Sequence, residues 1–111
     1  MGISLEQYQD MVRTTAIYPN KGNNLSYPTL GLCGEAGEVA EKIKKIMRDD
    51  GGVVSPEKKQ AIIKELGDVM WYIGALASEI GTTISEVAET NHNKLLSRLE
   101  RDKLHGSGDD R

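Results

Sequence analysis

The sequence predicts an all-α fold of four helices, and three observations carry that prediction. Apolar residues recur at three- and four-residue spacing through four separate stretches. Those stretches open on helix-capping residues or proline and close on glycines or paired aspartates. The chain contains no Phe, so Leu, Ile, Val and Ala must supply most of the core, a composition suited to packed helices. Val53-Val54 is too short to form a strand, and no segment repeats. At 111 residues the chain is long enough for one core and too short for two.

The first helix is predicted over Leu5 to Thr15. Ser4 stands at its N-cap with Gln7 three residues on, a capping-box pattern in which each side chain satisfies the other residue's backbone N–H. Pro19, Asn20, Gly22, Asn23 and Asn24 make the following loop. The second helix begins near Pro28 or Thr29 and runs to about Arg48, with Val39, Ile43, Ile46 and Met47 as its apolar stripe. Asp49-Asp50-Gly51-Gly52 stops it. Ser55-Pro56 opens the third helix, where proline at the first helical position loses no hydrogen bond. Its apolar face is long, from Ile62, Leu66, Val69 and Met70 through Ile73, Leu76, Ala77 and Ile80, and Gly81 ends it. Thr83 and Glu86 make a second capping box for a fourth helix reaching about Lys103, striped by Ile84, Val87, Ala88, Leu95 and Leu99. The expected organisation is one helical domain over residues 1–104 and an irregular tail over 105–111.

Charge and cysteine usage remove several function classes. A net charge of −3 gives no electrostatic reason to expect a nucleic-acid or membrane partner. The single cysteine, Cys33, excludes an internal disulfide framework and fits a reducing cytoplasm. No apolar run approaches a membrane span, and Met1-Gly2-Ile3-Ser4 leads into a polar helix rather than a signal peptide. A cytoplasmic protein is expected.

The chemistry sits in two pairs of acids. Positions three apart on a helix differ by only about 60° around the axis, so Glu35 and Glu38 share a face, as do Glu65 and Asp68. Each pair borders an apolar stripe, and the short connection from Asp49 to Ser55 makes the second and third helices antiparallel neighbours. Both pairs are therefore expected in the seam between those helices. Carboxylates converging there repel one another unless some protonate or a divalent cation binds them, and an all-oxygen ligand set suits Mg²⁺ or Mn²⁺. A single Glu-x-x-Glu is commonly just a solvated face offset by lysines such as Lys42 and Lys45. Two pairs on adjacent helices, each touching an apolar stripe, favour the metal. Gly34, Gly37 and Gly67 remove side-chain bulk around the acids. A di-iron bundle would need Glu-x-x-His on two helices; Glu89-Thr-Asn-His92 supplies one, and Cys33 with His105 makes no zinc pattern.

Glu35-Ala-Gly-Glu38, 26 residues, then Glu65-Leu-Gly-Asp68 resembles the ExxE…ExxD signature of the MazG-like all-α nucleoside triphosphate pyrophosphohydrolases. "YQDMVRTTAIYP", "LGLCGEAGEVAEKIKK", "ELGDVMWYIGALASEIG" and "NHNKLLSR" follow in the order of single-domain MazG-like proteins, and "HGSGDDR" resembles the ending of a small bacterial or phage-type subgroup. The resemblance implies a four-helix MazG fold completed by oligomerisation, as a homodimer or homotetramer. It implies Mg²⁺-dependent hydrolysis (Mn²⁺ as the substitute ion) of a nucleoside triphosphate to monophosphate and pyrophosphate, in nucleotide-pool cleaning. By the same resemblance Glu35, Glu38, Glu65 and Asp68 would hold metal, with Glu38 the choice for the base that takes a proton from water. Asn91, Lys94 and Arg98 would bind phosphates or sugar, and Tyr72, four residues after Asp68, would reach a phosphate oxygen. Trp71 is read as a core or subunit contact or a base-stacking ring. Tyr8, Tyr18 and Tyr27 are candidates for a site shared across subunits. The contrasting expectation is a non-catalytic helical interaction domain whose acids bind a structural cation or a basic partner.

Overall fold

The computed structural model describes residues 2–101, 106, 108 and 109, and among them the chain forms four α-helices and no strand. α1 spans Leu5–Thr15, α2 Ser26–Asp49, α3 Pro56–Glu79 and α4 Ile84–Glu100. The all-α expectation is borne out. Ser4 Oγ accepts from the Gln7 N–H at 3.1 Å while the Ser4 N–H donates to Gln7 Oε1 at 2.7 Å, so the capping box of α1 is complete. α2 starts two residues ahead of Pro28, because the Asn24 side chain accepts from the Tyr27 N–H at 3.0 Å and caps the helix from upstream. Pro28 then occupies the first turn, whose N–H groups have no helical acceptor in any case. Gly51 and Gly52, at φ +61° and +82°, turn the chain back into α3. At α4 only half of the expected box forms: Thr83 accepts from the Glu86 N–H at 3.1 Å, while the Glu86 carboxylate takes the Thr82 hydroxyl. The expected end of this helix at Lys103, His105, and the boundary between domain and tail lie outside the described residues.

α2 and α3 form an antiparallel hairpin in which Gly31 faces Tyr72 and Glu35 faces Asp68. α1 packs on α3 and α4, and among the described residues α2 has α3 as its one helical neighbour. The core lies where α1 meets α3. Val12, Ala16, Tyr18 and Ala75 are buried there, with Tyr8 and Trp71 packed against them. Gly74 permits this close approach, since a β-carbon at that position would come within 3.0 Å of Val12 Cγ2.

One polar side chain fastens three helices. Gln9 is 1% exposed. Its Nε2 donates to the Gly74 carbonyl at 3.0 Å and to Ser78 Oγ at 2.8 Å, and its Oε1 accepts from the Ile84 N–H at 2.7 Å. Glu79 ties down the α1–α2 loop in a similar way. It accepts from the Tyr18 hydroxyl at 2.6 Å and from the N–H groups of Gly22 and Asn24 at 2.8 and 2.7 Å. These bonds favour the ionised form and lower the Glu79 pKa, while burial and the same carboxylate raise that of Tyr18.

Much of the predicted apolar face lies open in the single chain. Ile46, Ala77 and Ile84 are buried as the stripes require, but Ile43, Met47, Leu66, Met70, Ile80, Val87, Leu95 and Leu99 remain exposed. For Ile43 and Met47 the reason is geometric: among the described residues α2 is covered on the α3 side alone. The radius of gyration, 16.7 Å, exceeds the ~13 Å of a compact domain near this length. No helix among the described residues is long and apolar enough to cross a membrane.

Candidate functional site

Antiparallel packing of α2 on α3 turns two sequence-distant acid pairs toward one another. Glu35 from α2 and Glu65 and Asp68 from α3 each place a carboxylate oxygen so that all three lie within 4.8 Å of one another. Glu35 and Glu65 are half-buried and Asp68 is exposed. Among the described residues no other group of three or more such side chains assembles, and Glu89 and His92 stand exposed on α4. Glu38 lies one turn beyond Glu35 on α2, exposed and outside the trio.

The electrostatics record the crowding. The Glu35 carboxyl is pushed above its ordinary value, first by desolvation and then by the charges of Asp68 and Glu65, a hydrogen bond with Glu65, and the charge of Glu38. Lys42 stands at the edge, its Nζ 3.6 Å from Glu65 Oε1, and offsets part of the charge. Three hard oxygen donors, one of them holding its proton more tightly than usual for want of countercharge, match what a small divalent cation binds. The donor set therefore fits a divalent metal.

Two tyrosines border the acids. Gly31 seats the ring of Tyr72: a β-carbon on Gly31 would overlap it, its Cε1 only 2.1 Å away. Tyr72 also meets Tyr27, which is stacked on Tyr18 with centroids 4.7 Å apart, and meets Trp71 edge-on at 5.0 Å. The Tyr72 hydroxyl titrates high because of burial, then the charge of and a hydrogen bond with Tyr27, then Glu35 and Asp68. Tyr8 of α1 donates its hydroxyl to the Gly67 carbonyl at 3.3 Å, between the two α3 acids, and its pKa is raised by burial and by Asp68. Around Gly34, Gly37 and Gly67 there is open space where a β-carbon would stand. Of the glycines recurring every third residue on α2, Gly31 is thus the one in close contact.

The other candidate residues lie on α4, which does not touch α2. Asn91 and Lys94 line an open groove of about 410 Å³ with Thr82, Glu86, Val87 and Thr90. Arg98 is buried, and its Nη2 donates to the carbonyls of Gly108 and Asp109 at 3.2 and 2.7 Å. Trp71 donates Nε1–H to Thr15 Oγ1 at 2.7 Å and packs against the core. From the sequence, Tyr8 is expected only as a candidate for a site shared across subunits. Its i, i+4 spacing from Val12 and Ala16 is the signal that puts it on the buried face of α1.

The family model described as MazG nucleotide pyrophosphohydrolase domain matches residues 25–101, a span holding all four acids, Tyr72 and the α4 residues. A Mycobacterium phage L5 protein named Gene 37 protein is 49% identical over 109 residues, 94% of this chain and 96% of its own length. The uncharacterized protein YvdC of Bacillus subtilis (strain 168) is 35% identical over 74 residues, 62% of this chain and 70% of its own. No solved structure matches.

Proposed function

The chain belongs to the MazG nucleotide pyrophosphohydrolase domain family, and from that premise we propose that it hydrolyses nucleoside triphosphates to monophosphate and pyrophosphate in a Mg²⁺-dependent reaction. The observation that carries the reading is the convergence of Glu35, Glu65 and Asp68 across the α2–α3 seam. When bound, the divalent ion supplies charge neutralisation of the triphosphate and a more acidic water. Glu35, Glu65 and Asp68 hold it, with Glu38 as a fourth ligand from the same face. Glu38, in contact with solvent, is the residue assigned to take the proton from the attacking water. Tyr72 orients a phosphate oxygen from its seat on Gly31. The physiological role assigned is clearance of (d)NTPs from the nucleotide pool, in the cytoplasm, with the exposed thiol of Cys33 kept reduced.

A second copy of the chain belongs to this reading. Leu66 and Met70 are exposed on the α3 face, at 48% and 40%, and a homodimer or homotetramer would cover them. It would also let Asn91 and Lys94 of one protomer approach the acids of the other, with Arg98 behind them. Native mass measurement tests the assembly; a monomer at micromolar concentration removes this part of the proposal.

The test of function is a panel of canonical and aberrant (d)NTPs scored for pyrophosphate release with and without Mg²⁺. Release from at least one nucleotide, lost on chelation, is the expected result. Silence across the panel would leave the helical interaction domain, with its acids on a structural cation or a basic partner.

Metal binding also carries a signed pH dependence. The raised Glu35 pKa means that the folded state keeps a proton the unfolded chain has already released. Without metal, stability therefore falls as pH rises from the ordinary carboxylate value through the Glu35 value. Mg²⁺ displaces that proton, so its stabilising effect grows over the same interval. At a hundredfold its dissociation constant the ion is expected to add about 2.7 kcal/mol at neutral pH, and less in acid. Thermal unfolding with and without Mg²⁺ at two pH values checks both the size and the direction.

A further inference from the structure

We propose that Gly108 and Asp109 form a displaceable anionic cap on Lys94, anchored by Arg98, in which the Asp109 carboxylate holds the place of a substrate phosphate. This rests on the pyrophosphohydrolase reading for what displaces the cap, and on the observed contacts for the cap itself. Arg98 is 4% exposed, yet its Nη2 is directed to the main-chain carbonyls of Gly108 and Asp109 at 3.2 and 2.7 Å. Those two bonds fasten the cap by its backbone. Gly108, at φ +79°, supplies a conformation that side chains rarely adopt, just before the residue that carries the carboxylate. Asp109 Oδ1 then lies 3.1 Å from Lys94 Nζ and 3.6 Å from Arg98 Nη2.

The two halves of the contact differ in strength. The guanidinium is buried, and an unmade hydrogen bond there would be costly. The Asp109 side chain is 84% exposed, so its ion pair with Lys94 is screened by water and easily exchanged. The backbone of Gly108 and Asp109 can therefore stay attached while the carboxylate leaves. Lys94 also lines the open groove that carries the Asn91 amide and the Thr90 hydroxyl, along with the Glu86 carboxylate, which is occupied by the Thr82 hydroxyl. Those donors and the lysine are a receiving set for phosphate oxygens, and a phosphate of a di- or triphosphate carries more charge than one carboxylate. Occupied by Asp109, Lys94 is closed to weakly charged anions and open to a polyphosphate. Arg98, in this account, positions the cap rather than contacting substrate.

The experiment is calorimetric titration of the full chain with inorganic pyrophosphate, free of divalent metal so that the acid trio takes no part. Asp109→Asn is expected to bind pyrophosphate about fivefold more tightly than the unaltered protein, since the competing carboxylate is gone. Glu89→Gln makes the same charge change on the exposed surface of α4, outside the groove, and is expected to leave the affinity within about 1.5-fold. Adding Lys94→Ala to Asp109→Asn removes the gain. Equal or weaker binding by Asp109→Asn, no measurable binding by it, or an equal gain in Glu89→Gln overturns the proposal. Failure of the functional reading would show elsewhere, as absence of pyrophosphate release from every nucleotide, with this titration unaffected.

Discussion

Asp68→Asn is expected to lower pyrophosphate release by about 10²- to 10³-fold while leaving the far-ultraviolet circular dichroism unchanged. The argument starts from burial. Asp68 is exposed, makes no hydrogen bond between helices among the described residues, and stands with Glu35 and Glu65 in a cluster whose oxygens lie within 4.8 Å. Replacing one carboxylate by an amide keeps the volume, removes a full negative charge from the proposed ligand set, and relieves repulsion within the acid cluster. The variant should be at least as stable as the parent without metal, and should bind Mg²⁺ more weakly by calorimetry. Glu38→Gln provides the contrast, because Glu38 lies outside the trio. It is expected to lose turnover while keeping more of the metal affinity, which would separate proton transfer from ion binding. Ordinary turnover by both variants with Mg²⁺ would refute the metal assignment.

Gln9→Ala is expected to destabilise the fold by about 3 kcal/mol, read from urea or thermal unfolding. Three losses combine. A side chain 1% exposed is truncated, so a cavity opens between α1 and α3. The Ile84 N–H, in the first turn of α4, loses the acceptor that served it at 2.7 Å and has no helical carbonyl to replace it. Ser78 Oγ and the Gly74 carbonyl lose a donor. Because Gln9 joins α1, α3 and the start of α4, the whole transition should shift rather than one segment fray. A change under ~1 kcal/mol would mean that the three helices are held together by apolar contact alone.

These two residues also mark how far the sequence could be read. Asp68 was legible because helical periodicity sets an angle around the axis, and two acid pairs bordering apolar stripes must meet if their helices pack. At Glu38 the same rule gives the shared helix face but not the degree of convergence. A turn of about 60° around the axis is enough to carry a side chain from seam to solvent, so sharing a face with Glu35 did not bring it into the trio. Gln9 was not legible, since a polar residue on α1 carries no mark of what will lie opposite it. Its role exists only once Gly74, Ser78 and Ile84 have been brought together. The apolar stripes were legible as stripes, but burial of Leu66 and Met70 depends on a covering layer that one chain does not provide. At helix ends, α1 was readable from its capping box, whereas α2 began early because Asn24 caps from a loop position.

The seating of Tyr72 on Gly31 has a metric consequence. With bare Cα on one side and a flat ring on the other, the Tyr72 ring stands directly against the α2 backbone at Gly31. The ring therefore works as a gauge block, fixing how wide the groove stands one turn away, where Glu35 faces Asp68. Tyr72→Phe keeps the block and discards the hydroxyl; Gly31→Ala keeps the hydroxyl and forces the block aside. A protein whose ion selectivity changes with the second substitution and not the first is choosing its cation by calibre.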